Sequence, residues 1–388
     1  MAGPGRHFLQ IPGPTNVPDR ILRAINRPTM DHRGAEFAEF ALKLLDRTRS
    51  IFKCSGPVFI FPTSGTGAWE AALSNTLSPG DKVLMYETGH FASLWKSMAA
   101  HLGLEPVFIE GDWRSGIDPS KIANQLKQDT AHAIKAVCVV HGETSTGCTS
   151  SIKDVSDVLR DGGHPALLMV DVVSSLATAD FRQDEWNVDV AIGGSQKGLM
   201  LPPGLGFNAV SERALEISKS THMNTGFFDW NEMVGPNSQG FFPYTPATNL
   251  FYGLSEAIDM LHEEGLDQVF SRHQRHGEAT RRAVSAWGLE NVCLKPQYYS
   301  STLTAVMMPD GHSGDAFRKI VVETYNMSLG SGLAKLADKI FRIGHLGDFN
   351  DLMLMGTLSG VEMGLERAGV PHHRGGVQAA LDYLSADT

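Results

Sequence analysis

The first two thirds of the chain alternate short apolar runs with longer stretches of helical pattern. Five runs rich in apolar and β-branched residues predict strands, at Val58–Phe61, Lys82–Tyr86, 136–140, 166–170 and 188–192. A helix is predicted over 68–77, between the first two runs. The runs are apolar along most of their length, which is typical of strands covered on both faces. Such strands separated by helices predict a mainly parallel sheet of the α/β class.

The pattern changes after about residue 265. Five further elements are predicted there, a long polar helix and then alternating strands and helices, at about 268–286, 302–308, 315–325, 339–343 and 351–368. This mixture predicts a smaller α+β domain. The N-terminal residues are rich in proline and glycine, so they are predicted to be irregular and to cross between domains. The predicted division is a crossing segment at 1–20, a large domain at 21–265 and a small domain at 266–388.

Composition and charge argue against several classes of protein. The chain has 388 residues, of which 42% are apolar and 20% charged, as in ordinary globular proteins. A net charge of −10 argues against nucleic-acid binding, which needs clustered positive charge. No apolar run approaches the length of a membrane span, so no membrane partner is predicted. Four scattered cysteines without a CxxC pair predict neither a disulfide framework nor a metal site, and they favour a reducing, cytoplasmic setting.

Candidate chemistry is concentrated directly after the predicted strands. Ligands of open α/β sheets bind beyond the carboxyl ends of the strands. The first predicted strand is followed by Thr-Ser-Gly-Thr-Gly-Ala at 63–68, which leads into a helix. Glycines allow a ligand to approach the backbone closely, and a helix N-terminus offers free N–H groups to an anion. Taken alone, the segment favours an ordinary turn between a strand and a helix.

Asp171 and Lys197 follow two later strands. Asp171 closes the run Leu-Leu-Met-Val-Asp, and Lys197 comes 26 residues later in Gly-Ser-Gln-Lys-Gly. The two side chains could form a salt bridge. A lysine sheltered at a strand end among small residues can also lose its proton and act as a nucleophilic amine. With the glycine-rich helix start, the pair matches the needs of pyridoxal phosphate: a lysine for the Schiff base, a carboxylate for the pyridinium nitrogen and a cradle for the phosphate.

Seven segments extend this pattern over nearly the whole chain. They lie at 12–18, 66–70, 141–147, 170–171, 195–198, 244–246 and 341–347. Most specific in combination are Ser-Gln-Lys at 195–197 and Phe-Arg-Ile-Gly-His-Leu-Gly at 341–347. On these segments the chain resembles the class V aminotransferases of fold type I, and within them the serine– and alanine–glyoxylate aminotransferases. The resemblance implies a large domain with a mainly parallel seven-stranded sheet flanked by helices, a smaller C-terminal α+β domain, and a homodimer with active sites at its interface.

The resemblance also implies a role for each matching position. Lys197 and Asp171 are the expected catalytic residues: Lys197 links covalently to the cofactor and carries the proton, and Asp171 pairs with the pyridinium nitrogen. The other expected cofactor contacts are Thr66, Gly67, Ala68 and Gln196 at the phosphate, Thr144 at the ring oxygen side, Phe91 stacked on the ring, and Tyr244 and Thr245 at the phosphate in the partner subunit. Phe91 is equally well interpreted as a core residue, and Tyr244 with Thr245 as a turn before a helix.

Arg342 is the position at which the resemblance implies substrate binding, with Gly13 as a second substrate contact. Arg342 lies in an apolar predicted strand, where a charge is costly unless it is paired. A guanidinium can hold a carboxylate by two parallel hydrogen bonds, and the implied role is to bind the substrate α-carboxylate. The alternative is a structural ion pair.

Together these positions predict an aminotransferase that uses pyridoxal phosphate to move the amino group of L-serine to glyoxylate, giving glycine and hydroxypyruvate. L-alanine and L-aspartate are the alternative donors. A lyase of the cysteine desulfurase type would need a nucleophilic cysteine in the C-terminal part, where Cys293 lies in an apolar Val-Cys-Leu context that favours an inert thiol. A non-catalytic binding protein is disfavoured because both Lys197 and Asp171 are present.

Overall fold

The computed structural model describes residues 5–223 and 226–386. The elements of its first part are, in chain order, β1 Phe8–Gln10, α1 Asp19–Ile25, α2 Ala35–Phe52, β2 Val58–Phe61, α3 Gly65–Thr76, β3 Lys82–Tyr86, α4 His90–His101, β4 Glu105–Ile109, α5 Pro119–Gln128, β5 Ile134–Val140, β6 Gly142–Glu143, β7 Cys148–Thr149, α6 Ile152–Asp161, β8 Leu167–Asp171, β9 Val190–Gly194, β10 Gly206–Val210, α7 Glu212–Ser218, α8 Trp230–Ser238 and α9 Thr248–Glu264. Those that follow are α10 Leu266–Ala286, a 3₁₀ helix Pro296–Tyr298, β11 Leu303–Met307, α11 Gly314–Tyr325, β12 Met327–Ser331, a 3₁₀ helix Ala334–Leu336, β13 Ile340–Gly344, α12 Asp351–Arg367 and α13 Gly376–Ala386. Within the described ranges, no helix has both the length and the apolar character needed to cross a membrane.

The large sheet contains seven strands in the order β2-β10-β9-β8-β5-β3-β4. Strand β10 is antiparallel to both of its neighbours, and the remaining pairs are parallel. The expected mainly parallel, seven-stranded sheet is therefore confirmed. All five predicted strands are present, with ends shifted by at most two residues. The sequence pattern misses β4 and β10 because Pro106 interrupts one apolar run, and Gly206 and Asn208 interrupt the other.

Helices cover both faces of this sheet, which explains why its strands are apolar along most of their length. One buried cluster contains Phe37 of α2 and Phe207 of β10. The cluster on the other face contains Phe61 of β2 and Trp95 of α4. Every residue of β2, β8, β9 and β10 is buried. This double packing fixes the ends of the parallel strands relative to one another.

A second sheet has four strands in the order β1-β12-β13-β11. Strand β1 pairs with β12 in parallel, Phe8 opposite Met327. The prediction of an irregular segment at 1–20 is therefore wrong for Phe8–Gln10. The sequence does not reveal this strand, because three residues are too few to show a strand pattern and the pairing partner lies hundreds of residues away. Between β1 and α1, residues 11–18 form neither helix nor strand and run from the second sheet to the end of β9, where the Thr15 N–H donates to Gln196 O at 3.0 Å. The domain boundaries stay predictions.

His141, directly after β5, is a buried histidine in an aromatic environment. Its ring packs against Phe181 and Trp186, with centroids 6.0 and 6.3 Å away. Its Nδ1 has no hydrogen-bond partner among the described residues. Burial lowers the pKa of His141 to about 4, so the ring is neutral in the folded protein at neutral pH.

We expect His141 to make the folded protein sensitive to acid. Between pH 6.5 and 4 an unfolded histidine binds a proton that buried His141 does not bind, so the free energy of unfolding falls as the pH falls through this window. The loss from this group is about 2 kcal/mol at pH 5. His141→Phe, which keeps the aromatic packing, should reduce the difference between urea unfolding free energies at pH 7.5 and 5 by this amount. Substitution of the exposed His101 by Phe is the control, and equal pH dependence in both variants would contradict the expectation.

Candidate active site

The ends of the parallel strands surround a cavity of about 230 Å³. Seven of the predicted site residues line it: Gly13, Thr66, Phe91, Thr144, Asp171, Gln196 and Lys197. Apart from Gly13, they come from the last residue of β8 or from the turns and helix starts that follow β2, β3, β5 and β9. The topology of the sheet, and not closeness in sequence, brings these side chains to one place.

The start of α3 forms one wall of the cavity. The helix begins at Gly65, three residues before its predicted start, so its first turn contains Thr66, Gly67 and Ala68. The N-cap residue Ser64 makes no side-chain hydrogen bond to this turn, which leaves the first backbone N–H groups without a side-chain cap. Gly67 is so tightly packed that a Cβ there would lie 2.1 Å from Thr63 Oγ1. A helix start of this kind is suited to hold an anion.

Asp171 ends β8 with its carboxylate buried. Its Oδ1 accepts a hydrogen bond from the Val173 backbone N–H at 2.7 Å, and its Oδ2 accepts one from the Trp69 indole N–H at 2.9 Å. Burial raises the pKa of Asp171 to about 7; the charge of Glu143 adds to the rise, and the two hydrogen bonds oppose it. A cation placed beside this carboxylate would therefore stabilise its charged form.

Lys197 lies in the turn after β9, with its side chain buried. Its Nζ donates hydrogen bonds to Pro12 O and, at 3.5 Å, to Thr144 Oγ1. Burial, and after it the positive charge of Arg342, lowers the pKa of Lys197 to about 7. A large fraction of this amine is thus neutral near pH 7, which is the form that acts as a nucleophile.

Gly13 lets the N-terminal segment lie directly against Lys197. Its φ is +103°, and a Cβ at this position would lie 2.4 to 2.8 Å from Cδ, Cε and Nζ of the lysine. Only glycine combines this backbone conformation with the close approach. The structure thus brings Gly13 and Lys197 together, while substrate contact by Gly13 stays a prediction.

Arg342 connects the second sheet to the cavity wall. Its Nε donates to Ser331 O and its Nη1 to Thr144 O, each at 2.7 Å. Both acceptors are neutral carbonyl groups, whereas a structural ion pair would use a carboxylate. Burial lowers the pKa of Arg342 to about 10, so it remains a cation at neutral pH. Arg342 does not itself line the cavity, but its charge is held next to Thr144, which does.

Glu143 is a buried acid to which the sequence analysis gives no role. Its Oε1 accepts hydrogen bonds from Ser145 and, at 3.4 Å, from the Phe91 N–H, while its Oε2 accepts one from the Ala92 N–H at 3.2 Å. The carboxylate therefore binds the first N–H groups of α4. This contact holds Phe91, which is half-buried and lines the cavity.

Some predicted residues lie off the cavity, and some cavity residues were not predicted. Tyr244 donates its hydroxyl to Ile60 O of the same chain, and Thr245 is exposed; neither lines the cavity. The sequence predicts neither Val173 nor Ser174 as a lining residue, and it assigns no chemical role to Trp69, which lies in the matching segment 66–70. Trp69 could have been found from its spacing, because a residue three positions after Thr66 lies on the same side of a helix.

Comparison with known proteins identifies the family. The sequence model of the class V aminotransferase family matches residues 7–340 of this chain. The chain belongs to this family. It is therefore an aminotransferase, and the resemblance expected from the sequence motifs is confirmed.

Relatives within the family match along nearly the whole chain. Serine–glyoxylate aminotransferase of Arabidopsis thaliana is 48% identical over 387 residues, which are 99% of this chain and 96% of the relative. L-aspartate–glyoxylate aminotransferase of Paracoccus denitrificans is 40% identical, over 97% of this chain and 96% of the relative. Among solved structures, pyridoxamine–pyruvate aminotransferase of Mesorhizobium loti has a TM-score of 0.93 at 27% identity, with all of both chains covered.

The lowered pKa of Lys197 can be measured on the protein without added ligand. An amine with the ordinary pKa of lysine is almost fully protonated at pH 7. We therefore expect cyanate, which reacts with neutral amines and is small enough for the cavity, to modify Lys197 on the order of 10-fold faster than exposed Lys82. Arg342→Gln should slow the reaction at Lys197 alone, because a positive charge that lowers its pKa is lost. Equal rates at the two lysines, read by peptide mass spectrometry, would contradict this account.

Proposed function

We propose that this protein is a pyridoxal-phosphate-dependent aminotransferase that moves the amino group of L-serine to glyoxylate, giving glycine and hydroxypyruvate. The observation that carries the proposal is the position of Lys197 and Asp171 in one cavity, at the ends of the neighbouring strands β9 and β8. Serine and glyoxylate are supported by the name of the relative at 48% identity. L-aspartate, named for the relative at 40% identity, and L-alanine are the alternative donors.

The cavity offers a suitable group for each part of pyridoxal phosphate. The first turn of α3 supplies N–H groups and the Thr66 hydroxyl for the phosphate, with Gly67 and Ala68 in the same turn. Gln196 can join them, because it lines the same cavity and its side-chain NH₂ can donate a hydrogen bond to a phosphate oxygen. Asp171 suits the ring nitrogen, the Thr144 hydroxyl suits the ring oxygen side, and Phe91 suits a face of the ring. These residues therefore fit the cofactor.

Lys197 has two tasks in this proposal. When bound, the cofactor supplies an aldehyde for the lysine amine and a ring that withdraws electrons from the substrate carbon. A pKa near 7 keeps enough neutral amine to form the link at physiological pH. Once a substrate amine has replaced it, the same group can take up a proton and return it, because its pKa lies close to the working pH. Pro12 O and Thr144 Oγ1 hold the amine inside the cavity.

Arg342 supplies the positive charge that binds the carboxylate shared by all substrates. Amino donors differ in their side chains, and glyoxylate has almost none, but each carries a carboxylate next to the reacting carbon. Donor and acceptor must use the same cavity in turn, so one fixed cation can serve both. The carbonyl partners of Arg342 orient its guanidinium without neutralising it.

The proposal includes a homodimer in which Tyr244 and Thr245 reach the cofactor phosphate of the partner subunit. Thr245 is exposed, and the ring of Tyr244 packs against Phe227, which is 49% exposed, with centroids 4.7 Å apart. Apolar surface beside these residues supports a protein interface. The proposed setting is the cytoplasm, which four free cysteines support.

The lyase alternative has less support from the site. A desulfurase needs a thiol that reaches the substrate. Cys293 is buried, donates its Sγ–H to Lys295 O at 3.7 Å, and lines a separate, smaller cavity. The thiol is therefore engaged elsewhere, which favours amino transfer.

A panel of amino donors tests the proposed function directly. The protein supplied with pyridoxal phosphate is mixed with glyoxylate and one donor at a time, and glycine and the 2-oxo acid are quantified by mass spectrometry. We expect the highest kcat/KM for L-serine, with hydroxypyruvate formed in the same amount as glycine. A higher kcat/KM for L-aspartate or L-alanine would identify that amino acid, and not L-serine, as the preferred donor. Absence of glycine with every donor would refute the function.

Arg342→Ala should weaken both halves of the reaction by similar factors. Loss of a charge-assisted, two-point contact with a carboxylate costs roughly 2–4 kcal/mol, or about 30- to 1000-fold in kcat/KM. Rapid mixing measures serine with the aldehyde form and glyoxylate with the amine form separately. Arg342→Lys should restore only part of the activity, because an ammonium group cannot form the two parallel bonds. Impairment of one half-reaction alone would mean that Arg342 is not the shared carboxylate anchor.

A further inference from the structure

Trp69 is a cavity residue within the matching segment 66–70, and the reaction described above assigns no role to it. Its indole is buried, and its Nε1–H donates to Asp171 Oδ2 at 2.9 Å. The other oxygen of Asp171 is bound by a backbone N–H, that of Val173. Among the described residues, Trp69 is the side chain that donates a hydrogen bond to this carboxylate, so it is the partner that substitution can remove.

The orientation of this indole is fixed by its neighbours. Trp69 lies on α3, whose first turn contains Thr66 and Gly67. Its ring stacks on Trp95, with centroids 5.8 Å apart and an interplanar angle of 13°. It also meets Phe91 edge-on, with centroids 6.4 Å apart. One side chain thus touches Asp171 and Phe91 and belongs to the helix that is proposed to hold the phosphate.

We propose that Trp69 is a positioning residue, whose indole N–H holds the Asp171 carboxylate in its charged form and in the orientation that receives the cofactor ring nitrogen. This inference rests on the proposed function, because it assigns Trp69 to the same cofactor site. Burial favours the neutral form of Asp171, whereas a hydrogen-bond donor held in a fixed orientation favours its carboxylate form. The stacked position of the indole provides such a donor.

The physical consequence is a pH dependence that packing alone would not produce. Removal of one hydrogen bond to a buried carboxylate should raise its pKa by about one to two units. Cofactor binding requires the charged Asp171 carboxylate. A variant that lacks the indole N–H should therefore bind the cofactor much more weakly than wild type at any pH where Asp171 is neutral in the variant. The two proteins should bind it about equally at a pH where Asp171 is charged in both. A purely steric change would weaken binding by the same factor at every pH.

Trp69→Phe tests the inference, since it keeps an aromatic ring on Trp95 and removes the N–H. The dissociation constant of pyridoxal phosphate is measured on apoprotein by fluorescence titration from pH 6 to 9.5, for variant and wild type. Titration of the cofactor itself cancels in the ratio of the two constants. We expect the ratio to be about 10 to 100 at pH 6 and to fall to within a few-fold of 1 at pH 9.5.

Trp95→Phe is the matched control. Trp95 belongs to the same stack, but its Nε1 has no hydrogen-bond partner among the described residues. Its ratio should not change with pH. In an Asp171→Asn background, Trp69→Phe should likewise give a ratio without pH dependence. A constant ratio for Trp69→Phe in the otherwise native chain would overturn the inference.

A measurement on the wild-type chain keeps the inference testable if Trp69→Phe does not fold. The chain has six tryptophans, whose ¹⁵N-labelled indole resonances can be followed with pH in the apoprotein. One resonance should shift with a midpoint near pH 7, and Asp171→Asn should abolish the shift. No indole resonance that responds to Asp171 would overturn the inference. Failure of wild type to bind pyridoxal phosphate at any pH would instead refute the proposed function.

Discussion

Lys197, Asp171 and Arg342 are ionisable groups removed from water, and each is held by neutral groups instead of by an opposite charge. The lysine and the arginine donate to carbonyl and hydroxyl oxygens, and the aspartate accepts from two N–H groups. Burial without charge pairing moves the pKa values of Lys197 and Asp171 to about 7, from opposite directions. The cavity is thus prepared for a ligand that brings its own charges, as a cofactor with a cationic ring nitrogen does.

Thr144 links the parts of this arrangement that come from the two sheets. Its backbone carbonyl accepts from Arg342 on β13, while its hydroxyl accepts from Lys197 after β9. Gly13 completes the enclosure, because the N-terminal segment that carries it lies against the lysine side chain. The position of the Arg342 guanidinium relative to the Lys197 amine is therefore set by Thr144, which both side chains contact. A displacement of the second sheet relative to the first would change the contact between Arg342 and Thr144.

Sequence reasoning found the parts of the site that depend on local pattern. Continuous apolar runs identified five strands, and the rule that ligands bind at strand ends singled out Asp171 and Lys197. It failed where a contact joins distant segments: β1 is a strand only because β12 pairs with it, and Glu143 matters because it binds the start of α4, some 50 residues earlier. The direction of the Trp69 N–H depends on stacking against Trp95, which no local pattern contains.

Attachment of the cofactor to Lys197 is the central claim, and borohydride reduction tests it most directly. Protein supplied with pyridoxal phosphate is reduced, digested and mapped by mass spectrometry, because reduction turns a reversible lysine link into a stable amine. The account predicts the pyridoxyl group on Lys197, in the peptide that contains Gly-Ser-Gln-Lys-Gly at 194–198, and its absence from Lys197→Ala. A pyridoxyl group on a different lysine of a protein that is active before reduction would contradict the account.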